Sequence, residues 1–312
     1  MKDKRIQTIK FIILVGVFYA FLAFNIFNIG KKLVPSTKDY VNSNIPQTNQ
    51  NIEDIYLETG GSGTTTTQGQ TGHFAASNGT DRENVCNTLD MCNKIEFNGN
   101  FNDTEKYTYT KIINKIIQFI DDNSNENQQM QDVISTININ KGNGNRRWYA
   151  THDTVILNLW SVQSTKEFIN LSTHELGHIT DLWYIQWSSP KMDKNYTEFG
   201  KAVFAIDDLS LWFYKLSRDK ETIRKSTAKK KNFCSGYGMS DPFEDFAECF
   251  NLYINHNSFF KQLGKTDTTL KNKYNFIASI FNGAYISSNS QDLMLIKDNT
   301  SRRPRDSTKI SN

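Results

Sequence analysis

The chain has 312 residues, of which 38% are hydrophobic and 22% are charged, so it can hold one good-sized core with attached segments. Its net charge of +3 at pH 7 is too small to indicate binding to nucleic acid, and we expect no nucleic-acid partner. Neither composition nor charge indicates an oligomeric state.

The N-terminus has the pattern of a membrane anchor. Residues 1–10 are basic, residues 11–30 carry no charge, and Lys31 and Lys32 close the run. About 20 helical residues cross the hydrocarbon core of a bilayer, which is the length of this run. No convincing cleavage site follows, so the sequence favours an uncleaved signal anchor over a removed signal. The charge bias predicts a single-pass protein of the cell membrane, with residues 1–10 in the cytoplasm and the remainder outside.

The segment after the predicted anchor has the composition of a linker. Residues 31–80 are rich in Asn, Thr, Gln, Ser and Gly and have no apolar periodicity, which indicates a flexible low-complexity tether. We expect a folded domain over residues 81–286 and a polar, disordered tail over residues 287–312.

The first part of the predicted domain mixes helix and strand patterns. Asp103 can cap a helix whose apolar positions recur at steps of three and four residues. Residues 133–139 alternate as a strand does, residues 141–145 form a turn signal, and residues 147–149 can begin the returning partner strand. Residues 154–159 are a further β-rich run. The pattern predicts an α+β fold with a small mixed sheet.

A predicted helix then carries the run His-Glu-Leu-Gly-His at residues 174–178. His174 and His178 share one helix face, with Cβ atoms about 5–6 Å apart. Such a pair can hold Zn²⁺ while one position stays open for water and Glu175 takes the proton of that water. Asp181, one turn further on, could accept the spare N–H of a ligand, pin a nearby loop or form a structural salt bridge. The alternative is an amphipathic helix that happens to carry two histidines.

A third ligand is needed to complete the site, and spacing narrows the choice. Asp181 and Tyr184 occupy the positions where a metzincin has Gly and His, which excludes that class. Glu198 lies at the distance typical of thermolysin-like enzymes, but Ala202 stands where those enzymes carry Asp. Glu244 is the better candidate.

Glu244 and Glu248 flank the apolar stripe of a predicted helix that begins with Asp241 as N-cap and Pro242 at its first position. Because the two glutamates are one turn apart, one can reach the metal while the other orients a ligand from behind. The alternative is that Glu244 only completes a capping box and that Glu248 is a solvated charge.

Together, these two stretches resemble the anthrax lethal-factor-like zinc metalloendopeptidases, a group that includes the Pro-Pro endopeptidases. The similarity lies in the run His-Glu-Leu-Gly-His at residues 174–178, which is followed by Asp181, and in Tyr237, seven residues before a Glu that opens an F-A-E helix. It covers residues 175–255. It implies a zincin-like domain with an active-site helix and a glutamate helix.

The resemblance also implies roles for particular residues. Glu244 would be the third zinc ligand, Tyr237 would point its hydroxyl at the oxyanion, and Glu248 would lie just behind the metal. The strand before the metal helix, residues 154–159, would be the sheet edge along which an extended peptide substrate lies.

The chain has four cysteines. Their spacing does not form a Cys₄ zinc site, which needs close pairs. Disulfides Cys86–Cys92 and Cys234–Cys249 are both possible, and buried free thiols are equally allowed.

The expected function is that of a zinc endopeptidase of the gluzincin type, with one Zn²⁺, tethered outside the membrane through residues 11–30 and acting on an extended peptide or protein. Two other functions stay open. One is a non-catalytic surface binding module with a structural zinc. The other is a cleaved and secreted toxin-like protease.

Overall fold

The computed structural model of the protein describes residues 90–142, 148–151, 153–185, 187–198, 200–287 and 303–309. Within these residues the chain is mixed α and β, with one four-stranded sheet and two small two-stranded sheets. The strands are β1 (Ile95–Asn98), β2 (Thr136–Asn140), β3 (Trp148–Thr151), β4 (Thr154–Asn158), β5 (Thr197–Glu198), β6 (Lys201–Ala202), β7 (Arg218–Lys220) and β8 (Ile223–Arg224). The α-helices are α1 (Asp103–Asn123), α2 (Met130–Val133), α3 (Thr165–Ile179), α4 (Ser210–Tyr214), α5 (Pro242–Asn255), α6 (Asn257–Thr266) and α7 (Thr268–Ile280).

The four-stranded sheet has the order β1-β2-β4-β3, in which β1, β2 and β4 are parallel and β3 is antiparallel to β4. Strand β4 is therefore an interior strand, and the prediction that it forms the substrate edge is wrong. The edge on that side is β3. Residues 152–153 join β3 to β4 and are too few for a crossover, so these two strands pair antiparallel. The predicted hairpin between β2 and β3 is wrong as well, because β4 lies between them.

Alternation along β2 and β4 positions the core. Ile137 and Ile139 of β2 are buried, and so are their register partners Val155 and Leu157 of β4. These side chains belong to one hydrophobic core that also contains the isoleucines of α1 and Leu176 of α3. Strands β3 and β4 both contact α3, so the sheet supports the helix that carries the two histidines.

The N-cap of helix α1 lies one residue before the N-cap that the sequence predicts. Asn102, and not Asp103, is the N-cap, and it forms a reciprocal capping box with Glu105. The side chain of Asn102 accepts a hydrogen bond from the Glu105 N–H at 2.9 Å, while the Asn102 N–H donates to Glu105 Oε2 at 3.0 Å. Asn and Asp side chains can both accept the unpaired N–H groups of the first helical turn, so residue type alone does not show which of Asn102 and Asp103 is the N-cap.

The prediction of a membrane-anchored fold requires correction. Among the residues that the structure describes, no helix is both long and apolar enough to cross a membrane. Helix α1 has the length, but acidic and basic side chains are distributed along it and one face packs into the core. The anchor predicted over residues 11–30 lies outside the described residues, as do the segments 1–10 and 31–80. The described residues form an α+β fold in which no membrane-spanning helix is seen, so the predicted membrane-anchored fold and the predicted location at the cell membrane are not supported.

The C-terminal segment also differs from expectation. Residues 287–312 were predicted to be disordered, yet residues 303–309 pack against the folded domain. Arg303, Ser307 and Thr308 are almost completely buried, and Arg303 donates a hydrogen bond of 2.8 Å to the carbonyl of Phe233. Polar sequence predicted solvent exposure here, but hydrogen bonds to the folded domain hold the segment instead.

Candidate metal centre

The two histidines lie on α3, which starts at Ser164 because the Ser164 hydroxyl accepts the N–H of Glu167 at 3.2 Å. Their rings stand 4.9 Å apart between centroids, nearly perpendicular to each other. The side chain of His174 is completely buried and that of His178 is 12% exposed. Helical spacing therefore brings the two imidazoles together, as predicted, with His174 buried and His178 partly exposed.

Helix α5 delivers the third group. Asp241 caps this helix by accepting the N–H of Glu244 at 2.8 Å, and Pro242 occupies its first turn. Glu244 Oε2 lies 3.1 Å from His174 Nε2 and 3.5 Å from His178 Nε2. Donor atoms of the three residues all lie within 4.8 Å of one another, so they form a possible metal-binding group. The alternative ligand, Glu198, lies in β5, and its side chain is outside the described part of the chain.

Small residues let the two helices approach closely enough for this contact. A Cβ atom added to Gly177 would lie 3.1 Å from the Cα of Ala247 and 3.1 Å from Cδ1 of Phe250. Both distances are shorter than an ordinary carbon contact of about 3.5–4.0 Å. The glycine between the two histidines therefore has a packing role, which sequence reasoning did not identify.

Glu248 lies behind the histidine pair. Its Oε1 atom is 3.0 Å from His174 Nδ1, and its Oε2 atom accepts the backbone N–H of Ser307 at 2.7 Å. A carboxylate on Nδ1 fixes the ring orientation and leaves Nε2 directed at the metal position. Glu248 is fully buried, which excludes the alternative of a solvated charge.

The histidines and glutamates of the cluster shift one another's pKa values. Burial alone would lower the pKa of His174, but the carboxylates of Glu244 and Glu248 raise that pKa well above its usual value. Burial likewise favours a high pKa for Glu244, yet His178 and His174 outweigh it and hold the pKa well below its usual range. Burial raises the pKa of Glu248 despite the opposing effect of His174.

Glu175 is a buried carboxylate beside the cluster. Both of its oxygen atoms are inaccessible, and neither makes a hydrogen bond to a described residue. Its Oε1 atom lies 4.0 Å from His174 Nε2. Burial raises the pKa of Glu175 to about 7, partly offset by the two histidines. A buried carboxyl that makes no hydrogen bond costs stability, and a perturbed pKa in such a position is typical of functional sites.

Tyr237 lies in a short 3₁₀ turn, Tyr237–Met239, and its hydroxyl donates a 2.9 Å hydrogen bond to Glu244 Oε1. The side chain is 41% exposed, and its ring stacks at 6.2 Å from the ring of His174. A disulfide between Cys234 and Cys249 ties the loop before Tyr237 to α5. Cys92 is also disulfide-bonded, and Cys86 lies outside the described residues.

Asp181 is buried but does not serve the histidines. Its Oδ2 atom accepts a hydrogen bond from the Tyr214 hydroxyl, and its backbone carbonyl accepts one from the Ser210 hydroxyl at 3.1 Å. Among the described residues, no hydrogen bond or ion pair joins it to His178. Of the roles considered from the sequence, the geometry matches that of pinning a neighbouring segment, here α4.

The donor set fits a divalent cation. Glu244 Oε2 is buried, lacks a hydrogen-bond partner among the described residues and faces the Nε2 atoms of both histidines. Two imidazole nitrogens and one carboxylate oxygen are a donor set that first-row divalent metals accept. Comparisons with protein-family models, curated proteins and solved structures gave no match to this chain.

Proposed function

We propose that the chain is a zinc-dependent endopeptidase that hydrolyses peptide bonds in extended protein segments. The observation that carries the proposal is a possible metal-binding group, His174, His178 and Glu244, next to the buried carboxylate of Glu175, which makes no hydrogen bond to a described residue. Two histidines and a glutamate, with a further position left open, are the ligand set of catalytic zinc sites in peptidases. The motif resemblance to the lethal-factor-like family supports the same proposal.

Zinc bound there would polarise the scissile carbonyl and lower the pKa of a water molecule toward 7. Glu175 accepts a proton from the attacking water and returns it to the leaving amine. Its position supports this role, because it directly follows the candidate ligand His174 in sequence and neither of its oxygens makes a hydrogen bond to a described residue. Glu248 holds His174 in the tautomer that presents Nε2 to the metal.

Tyr237 donates its hydroxyl to the oxyanion that develops on the substrate carbonyl. In the structure that hydroxyl is bonded to Glu244, so it must exchange this acceptor for the substrate oxygen. The partial exposure of Tyr237 supports such a movement. A single oxyanion donor typically contributes about 3 kcal/mol to transition-state stabilisation.

The sheet edge supports a peptide as substrate. Strand β3 ends the strand order on the side of α3, and its outer N–H and C=O groups can pair with an added strand. Tyr149 on this strand is 36% exposed and can contact a side chain of that peptide. A small amide would gain nothing from such an edge.

The test compares three proteins on a peptide library: the parent, Glu175→Gln and His178→Ala. The parent should cleave peptides, lose activity with a chelator and regain it with Zn²⁺. Glu175→Gln should keep Zn²⁺ and lose cleavage, since the amide cannot accept the proton, whereas His178→Ala should lose both. Cleavage by zinc-loaded Glu175→Gln at the parent rate would reject the assigned base.

The competing function is a binding module in which zinc only stabilises the fold. Glu175 argues against it, because metal binding does not require a further buried carboxylate that makes no hydrogen bond to a described residue. A parent protein that binds Zn²⁺ tightly and cleaves no peptide in the library would favour this alternative.

A further inference from the structure

The C-terminal segment, residues 303–309, contacts the candidate metal centre at two points. The first is Glu248, whose Oε2 atom accepts the Ser307 N–H at 2.7 Å while its other oxygen faces His174 Nδ1. The second is the Tyr237 loop. The Gly236 N–H donates to the carbonyl of Pro304 at 3.0 Å, and the Tyr237 N–H donates to the carbonyl of Arg305 at 2.8 Å.

Ser307 is fixed by α5 as well as by Glu248. Asn251, one turn beyond Glu248, donates to the Ser307 carbonyl at 2.9 Å and to its hydroxyl at 3.0 Å. Asn251 accepts a hydrogen bond from Asn255, which also donates to the hydroxyl of Thr173 at 2.8 Å. Thr173 precedes the ligand His174. A chain of buried hydrogen bonds, from Ser307 through Asn251 and Asn255 to Thr173, therefore joins the segment to α3.

Two contacts away from the candidate ligands also hold residues 303–309 in place. Arg303 is buried and donates to the Phe233 carbonyl at 2.8 Å. Gly236 approaches the segment so closely that an added Cβ would lie 3.0 Å from the Arg305 carbonyl oxygen. Backbone carbonyls of the segment therefore accept the N–H groups of Gly236 and Tyr237, and the guanidinium of Arg303 adds a contact of 3.4 Å with Sδ of Met239 in the same turn.

We infer that residues 303–309 are a positioning element of the metal centre: the Ser307 N–H fixes Glu248 behind His174, and the carbonyls of Pro304 and Arg305 fix the loop that carries Tyr237. The inference rests on the proposed function for the part that concerns Tyr237. The part that concerns Glu248 requires only that the centre binds a metal. The two contacts therefore predict separable effects.

The first experiment measures Zn²⁺ affinity by competition with a chelator. A chain that ends after residue 302 should bind Zn²⁺ about 10–100-fold more weakly, the range for loss of a group that orients a ligand. A chain that ends after Lys309 is the matched control and should keep the parent affinity. Ser307→Pro, which removes the N–H, should weaken binding in the same way. Ser307→Ala keeps the N–H and should bind Zn²⁺ within about twofold of the parent.

The second experiment separates the Tyr237 contact from the metal. Gly236→Ala pushes the loop away from Arg305, so kcat on a cleaved peptide should fall about tenfold or more. Zn²⁺ affinity and KM should change little, because Glu248 is untouched. The visible spectrum of the Co²⁺-loaded protein should shift in Ser307→Pro and stay as in the parent in Gly236→Ala. A merely structural role would move both variants alike.

Circular dichroism establishes which variants are folded, and any that unfolds is set aside in favour of the point substitutions. Folded variants that bind Zn²⁺ as the parent does, with an unchanged kcat, would overturn the inference. A parent that binds Zn²⁺ without cleaving peptides contradicts the proposed function instead. In that case the affinities of the truncated chains and of Ser307→Pro still decide whether the segment positions Glu248.

Discussion

The close packing of α3 on α5 can be tested by replacing Gly177 with alanine. The new Cβ would lie 3.1 Å from the Cα of Ala247, a backbone atom that cannot rotate away. To restore a carbon contact of about 3.5 Å, the helices must separate by about 0.4 Å. Since Glu244 lies on one helix and His174 on the other, the same shift separates the candidate ligands.

Two energies follow from this change. Overpacking costs about 1–3 kcal/mol, and the better helix propensity of alanine offsets about 1 kcal/mol, so the metal-free protein should lose about 0–2 kcal/mol of stability. Metal–ligand distances tolerate shifts of only about 0.2 Å. We therefore expect Zn²⁺ affinity to fall about tenfold or more, which corresponds to about 1.4 kcal/mol.

Gly264→Ala is the matched control. An added Cβ there would lie 3.1 Å from the Cα of Lys271, so the packing of α6 on α7 is equally tight, yet neither helix carries a candidate ligand. Urea denaturation should show similar losses of stability in both variants, and chelator competition should show weaker Zn²⁺ binding only in Gly177→Ala. Parent-like Zn²⁺ affinity in a destabilised Gly177→Ala protein would refute the claim that helix spacing sets the ligand geometry.

Three further predictions concern the hydroxyl, the disulfide and pH. Tyr237→Phe should lower kcat by about 100-fold with little change in KM, since about 3 kcal/mol of oxyanion stabilisation is lost; an unchanged kcat excludes this role. Cys234→Ser with Cys249→Ser should lower the free energy of unfolding by about 3 kcal/mol, because the bond closes a loop with a sequence separation of 15; urea denaturation measures this. In metal-free protein, the raised pKa of His174 contributes stability that is fully present below about pH 6.5 and is lost as the pH rises through the folded-state pKa. Zn²⁺ affinity should increase over the same pH range, because the ion replaces that proton. Parallel pH series of urea unfolding and of metal binding measure the two trends, and a stability and an affinity that change in the same direction would contradict the prediction.

The grouping of His174, His178 and Glu244 could be predicted because its signals are local. One turn of helix separates the histidines, and Asp241 with Pro242 marks the start of the helix that carries Glu244. Capping and helical periodicity depend on neighbours in sequence, so they can be identified without the fold.

The remaining features depend on contacts between distant parts of the chain. No pattern in the sequence identifies β3 as the edge strand. The edge is set by the pairing of β4 with both β2 and β3, which places β4 in the interior of the sheet. The contribution of Ser307 is similarly hidden. It acts through its backbone N–H, a group that every residue except proline carries, so no side-chain motif could indicate it.

The two histidines of α3 and the two glutamates of α5 have the same spacing of four residues, which places both glutamates at the site. Four residues of helix rise about 6 Å, so a pair at this spacing on one helix meets a pair at the same spacing on the other. His174 receives one carboxylate on each nitrogen: Glu244 near Nε2 and Glu248 near Nδ1. Gly177 lies between the histidines as Ala247 lies between the glutamates, and these small residues meet at the helix contact. The motif is therefore a packing unit as well as a possible metal-binding group, since a larger residue at either small position would move the donor atoms apart.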